Sequence, residues 1–167
     1  VSFGVAPAFI IYKLLVPLLS DSAVILSFIT LIMPVCAALR LAKFNTDTTQ
    51  ATSFKGLPTP ANAIAVISLV IAARYSTLPV VNSFTQSPAA LIIYTVVLSI
   101  LMVTRIPLLS LKFKNLRFKG NEGRYILIGL VLISFLIFRF AAAPVIIPVY
   151  IIVSLISNRF RTKVQEY

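Results

Sequence analysis

The chain has 167 residues, 59% hydrophobic and 11% charged, with a mean hydropathy of +1.02 and a formal net charge of +11. A soluble domain carries about a quarter charged residues, so this composition excludes a soluble globular fold. Histidine and tryptophan are absent and Cys36 is the one cysteine, which excludes disulfide scaffolds, zinc clusters and Ser-His or Cys-His nucleophile pairs.

The chain opens at Val1 inside an apolar run, with no methionine and no basic stretch ahead of it, unlike a signal peptide. The expectation is a C-terminal fragment of a longer protein. A bilayer core of about 30 Å needs roughly 20 apolar residues per helix. The first run covers 1–19 and the second 23–42, followed by a polar stretch from Lys43 to Pro58. A third run covers 60–75 and a fourth 88–111, before a basic loop, 112–124. The last apolar block, Tyr125 to Ser157, would be about 50 Å long as one helix. It is therefore divided near Arg139–Pro144 into spans 125–139 and 143–157. The expected fold is all-α, a polytopic transmembrane helix bundle of about six spans in a single membrane domain, with five spans as the alternative. Pro60 and Pro88 mark helix starts, where a missing N–H costs nothing. Pro7, Pro17, Pro34 and Pro107 are expected to kink or end helices.

Charge gives an orientation. With loops 43–58 and 112–124 and the tail after Ser157 on one side, that side holds 12 of the 15 Lys and Arg, flanking Arg40 and Arg105 included. Lys13, Arg74 and Arg139 fall on the other. Positive charge accumulates in cytoplasmic loops, so both ends of the chain are expected to face the cytosol. Topology and attraction to anionic headgroups account for the net charge, and no nucleic-acid partner is implied.

Polar chemistry concentrates where the second span ends. Arg40 and Lys43, three residues apart, share a helix face, and Asn45 and Asp47 carry the polarity outward. An arginine one turn inside an apolar span is costly facing lipid; it either snorkels to the interface or lines an enclosed site, and Ala37, Ala38 and Ala42 permit the close helix approach such a site needs. Further on, Phe54-Lys55-Gly56-Leu57-Pro58-Thr59-Pro60-Ala61 is stiffened by two prolines. Gly56 there tolerates unusual backbone geometry, Lys55 offers an ammonium, and a helix starting at Pro60 offers unpaired N–H groups to an anion. The same stretch also reads as an ordinary tight connector. Ser2, Gly4 and Ala6 are expected to form a narrow surface for tight packing. Four acidic residues, Asp21, Asp47, Glu122 and Glu166, are too few for chemistry that needs several carboxylates.

Three blocks in order, Val1-Ser2-Phe3-Gly4-Val5-Ala6-Pro7, Leu39-Arg40-Leu41-Ala42-Lys43-Phe44-Asn45 and Phe54-Lys55-Gly56-Leu57-Pro58-Thr59-Pro60-Ala61, resemble the CDP-alcohol phosphatidyltransferases, in particular the bacterial CDP-diacylglycerol–serine O-phosphatidyltransferase branch. The resemblance covers roughly residues 1–65. The family signature, D-x-x-D-G-x-x-A-R, eight residues, then G-x-x-x-D-x-x-x-D, does not occur here; its last aspartate is expected just upstream of Val1, so this chain alone is expected to be inactive. For the whole protein the resemblance implies transfer of a phosphatidyl group from CDP-diacylglycerol to L-serine, in the bacterial inner membrane with a cytosolic site. It implies Mg²⁺ or Mn²⁺ held by the upstream aspartates, so neither a catalytic nor a metal-binding residue is expected in this chain. Arg40, Lys43, Asn45 and Lys55 are the candidate substrate-binding residues. Expected partners are CDP-diacylglycerol, L-serine and the lipid bilayer, with a homodimer as an open assembly. Glycerol phosphate or inositol as acceptor, a transporter, and a non-enzymatic membrane scaffold are the alternatives. A transporter would place its polar residues near the bilayer midplane, whereas here they gather at one end.

Overall fold

The computed structural model describes residues 2–46, 54–75, 77–108, 121–138 and 146–164. Helix α1 spans Ser2–Leu15 and is extended by a 3₁₀ turn, Val16–Leu18. A second rod begins as a 3₁₀ helix, Asp21–Leu31, and continues as α2, Ile32–Thr46. Strand β1 is two residues, Phe54–Lys55, and precedes α3, Thr59–Tyr75. Then come α4, Pro79–Thr85, and α5, Pro88–Val103. Strand β2, Pro107–Leu108, pairs antiparallel with β1, Phe54 opposite Leu108. Helices α6, Glu122–Phe138, and α7, Ile146–Val164, complete the chain. Among the described residues the architecture is all-helical apart from that one short pairing.

Prolines set several boundaries for the reason the sequence suggests. Pro60 lies in the first turn of α3, and Pro88 opens α5 after Ser87, whose side chain accepts a hydrogen bond from Ala90 N at 3.3 Å. A Ser N-cap of this kind satisfies one of the four donors a helix start leaves over. Other boundaries differ from the sequence reading. Helix α2 continues through Lys43 and Asn45, and the apolar run expected to reach residue 111 stops being helical at Val103. The division near Arg139–Pro144 and most of loop 112–124 lie outside the described residues.

Helix α1 sits against both α2 and α3, and α2 packs against α5. Buried Ile11 and Leu15 of α1 meet Met33 and Ala37 of α2, Val66 of α3 and Leu98 of α5 in one apolar cluster. Many large outward-facing residues are apolar too: Ile25 is 73% exposed and Leu136 80%. Three buried hydroxyls return their hydrogen bonds to their own helix: Ser27 Oγ donates to Val24 O at 2.6 Å, Thr95 Oγ1 to Leu91 O at 2.7 Å and Ser99 Oγ to Thr95 O at 2.7 Å. An apolar exterior of this extent has no place on a soluble monomer. Among the described residues one rod, Asp21–Asn45, is long and apolar enough to cross a membrane by itself. Helices α4 and α5 meet the same criterion as a pair bent by 81°, with Phe84 and Tyr94 packed edge to face at the corner.

Of Ser2, Gly4 and Ala6, Gly4 alone is buried. Alternate helix positions are separated by about 200°, so the three cannot share one contact face. A Cβ at Gly4 would lie 2.5 Å from Ala37 Cβ and 3.1 Å from Pro34 Cα, well inside the ordinary carbon–carbon separation of about 3.5–4 Å. Gly4→Ala is therefore expected to push α1 off α2 and cost about 1–3 kcal/mol. Thermal unfolding in detergent checks this, and adding Ala37→Gly should recover part of the loss.

Candidate functional site

The end of α5 organises the region. The last four carbonyls of an α-helix have no partner within it, and each of those in α5 finds one. Ile100 O accepts from Thr104 N at 3.0 Å and Thr104 Oγ1 at 2.6 Å. Leu101 O accepts from Leu57 N at 2.9 Å. Met102 O accepts from Arg40 Nη1 at 3.1 Å, and Val103 O from Lys43 Nζ at 3.2 Å. Two cations thus stand at the negative end of the helix dipole, where positive charge is favoured. One further bond, Gly56 N to Ile106 O at 2.8 Å, fastens the loop before α3 to the chain leaving α5.

Gly56 makes this approach feasible. Its φ is +76°, a region that side chains other than glycine's occupy at a cost. A Cβ there would also lie 2.5 Å from Thr104 O and 2.9 Å from Met102 O. The glycine lets one backbone run directly over the carbonyl end of another helix.

Between α2 and the start of α3 this latch leaves a cleft of about 200 Å³. Ala37, Arg40 and Phe44 form one side and Pro58, Thr59 and Pro60 the other. Arg40 is the cation lining it. The first turn of α3 forms the facing wall, and unpaired N–H groups at a helix start favour anions. A guanidinium beside a helix N-terminus suits a carboxylate or a phosphate oxygen.

Of the four sequence candidates, Arg40 and Lys43 come together, as their spacing suggests, on the carbonyl end of α5. Asn45 is exposed in the last turn of α2 and is not among the residues that form the cleft. Lys55 has its backbone in β1, and its side chain lies outside the described residues. Sequence reasoning missed the part played by α5. Pro107, expected from the sequence to kink or end a helix, lies just past the stop at Val103; which residues would cover that end leaves no local trace. Among the described residues no three of His, Cys, Asp and Glu gather as a metal-ion ligand set.

Fold and cleft together define, among the described residues, a predominantly helical bundle with an apolar exterior and a recess lined by Arg40 and the start of α3. By sequence the chain is similar to parts of three curated proteins. Archaetidylserine synthase of Methanothermobacter thermautotrophicus is 37% identical over 78 residues, 47% of this chain and 32% of the relative. CDP-diacylglycerol–serine O-phosphatidyltransferase of Bacillus subtilis is 32% identical over 106 residues, covering 64% and 51% respectively. The protein of the same name from Mycobacterium leprae is 41% identical over 78 residues, covering 42% and 24%. The chain thus spans about half, or less, of the length of the curated relatives it matches. No family model and no solved structure matches it.

Proposed function

We propose that the protein to which this chain belongs transfers a phosphatidyl group from CDP-diacylglycerol to L-serine, giving phosphatidylserine and CMP. The observation that carries the reading is the Arg40-lined cleft, formed where two of the sequence blocks that resemble the phosphatidyltransferases meet. The three relatives are named for synthesis of a serine phospholipid. In the reaction the serine hydroxyl oxygen forms a bond to the phosphorus bearing the diacylglycerol. The phosphorus–oxygen bond to CMP breaks, and CMP leaves with the bridging oxygen. The hydroxyl proton goes to a carboxylate outside the described residues, which is also where Mg²⁺ or Mn²⁺ would be held.

The described residues supply binding. Arg40 has a planar guanidinium whose forked donors match a carboxylate or phosphate edge, and the first turn of α3 faces it across the cleft. Lys43, one turn further out on α2, adds positive charge that favours arrival of an anionic nucleotide, and Asn45 and Lys55 are carried as candidate contacts from the sequence alone. The apolar exterior suits a bilayer, with about six spans, the cleft at the cytosolic face and the bacterial inner membrane as the location. This arrangement keeps acyl chains in lipid while serine and nucleotide exchange with water.

The test is CMP release by the protein as its own gene encodes it, reconstituted with CDP-diacylglycerol. Release is expected to depend on L-serine and to yield phosphatidylserine. Equal release with glycerol phosphate or inositol in place of serine would reassign the acceptor. No release with any alcohol would overturn the transferase reading.

A further inference from the structure

Asn62 is the most deeply placed amide in the region, fully buried at 0% exposure in α3. It lies on the helix stripe that also buries Val66 and Leu69. Neither Oδ1 nor Nδ2 has a hydrogen-bond partner among the described residues. The contrast with Ser27, Thr95 and Ser99, each bonded back to its own helix, is chemical as well as geometric. A short hydroxyl reaches the carbonyl three or four residues back, whereas this amide has no such bond. Burying a polar group without a partner is costly, and a leucine of similar size would fill the same place without that cost. The position therefore calls for a partner that both donates and accepts.

The place of Asn62 says where that partner comes from. Thr59, three residues earlier, lines the cleft, and residues three apart lie on one helix face. Side chains on a helix tilt toward its N-terminus, which directs the Asn62 side chain toward the turn of α3 that holds Thr59; Asn62 lies beneath that turn and is not itself among the residues lining the cleft. Asn62 N itself bonds Pro58 O at 3.0 Å, which fixes the first turn in this orientation.

We propose that Asn62 is a recognition residue for the acceptor, a small hydroxylated amino acid. Its Oδ1 accepts from the hydroxyl or ammonium group, its Nδ2 donates to a carboxylate or hydroxyl oxygen, and Arg40 across the cleft takes the carboxylate. The inference rests on the transferase reading above and adds an acceptor subsite on α3 to it. A site built to hydrogen-bond a substrate discriminates strongly against molecules that lack the matching group, because its own buried polar atoms are then left unpaired.

The experiment compares wild type with Asn62→Leu and Asn62→Ser in the protein as its gene encodes it, by CMP release and thermal unfolding. Asn62→Leu is expected to raise the KM for L-serine by about tenfold or more while the KM for CDP-diacylglycerol changes by less than about twofold. Its unfolding temperature should stay level or rise. Asn62→Ser, which keeps one short polar group, should give an intermediate KM and serves as the readout if the leucine variant does not fold. An unchanged serine KM in the folded variants overturns the proposal, whether their unfolding temperature rises, as for a residue satisfied by water, or falls, as for one bonded to another chain segment. Should wild type release no CMP with serine, the transferase reading fails, and unfolding with added L-serine then decides for Asn62. Stabilisation of wild type that is lost in the variants supports the subsite; equal stabilisation, or none, overturns it.

Discussion

Gly56→Ala is expected to unfold the cleft end of the bundle. The substitution meets two independent obstacles. The first is a φ of +76°, where a non-glycine residue in a sparsely populated backbone region costs on the order of 1–3 kcal/mol. The second is a Cβ placed 2.5 Å from Thr104 O and 2.9 Å from Met102 O, neighbours that are backbone and cannot rotate aside. Relief requires the loop to lift, which would break Gly56 N to Ile106 O and Leu57 N to Leu101 O. A loss of about 3 kcal/mol or more is expected, read as a fall in the unfolding temperature in detergent. Protease cutting between Phe54 and Pro58 should rise in parallel. A variant that melts like wild type would show that the latch contributes little.

Arg40→Met should abolish serine-dependent CMP release, with a drop on the order of a hundredfold, and should also lower stability. Methionine keeps the apolar bulk of the stem and removes the guanidinium, leaving Met102 O without its donor; a buried carbonyl stranded in this way costs about 1–3 kcal/mol. Arg40→Lys separates the two effects. An ammonium supplies positive charge near the α5 carbonyls and preserves much of the stability, but it lacks the planar fork that grips a carboxylate edge. The lysine variant is expected to melt within a few degrees of wild type and yet show a KM for serine raised by about tenfold. Wild-type kinetics in Arg40→Lys would leave Arg40 as a helix cap with no substrate role.

The parts of the fold legible in the sequence are those with a local cause. Pro60 and Pro88 announce helix starts because ring geometry and a missing donor act within one turn. The shared face of Arg40 and Lys43 follows from their spacing. Arg40 pairs with Met102, 62 positions away, and Lys43 with Val103, 60 positions away; their acceptors are backbone carbonyls, which every residue carries and no sequence distinguishes. Gly56 could be identified as permissive, but only its position over Thr104 and Met102 shows what that permission is used for. Asn62 carries no local signal between Ala61 and Ala63, because its burial depends on how packing orients α3.

The eleven residues from Asp21 to Leu31 wind as a 3₁₀ helix, and their pitch governs where Arg40 comes to rest. At about 2.0 Å per residue they climb about 22 Å, against about 16.5 Å for the same stretch wound as α-helix. Each 3₁₀ residue also turns about 120° rather than 100°, so rewinding the segment would swing everything beyond it through more than half a revolution. The azimuth and height of the guanidinium are thus dialled in by a stretch two turns of helix away that bears no charge after Asp21.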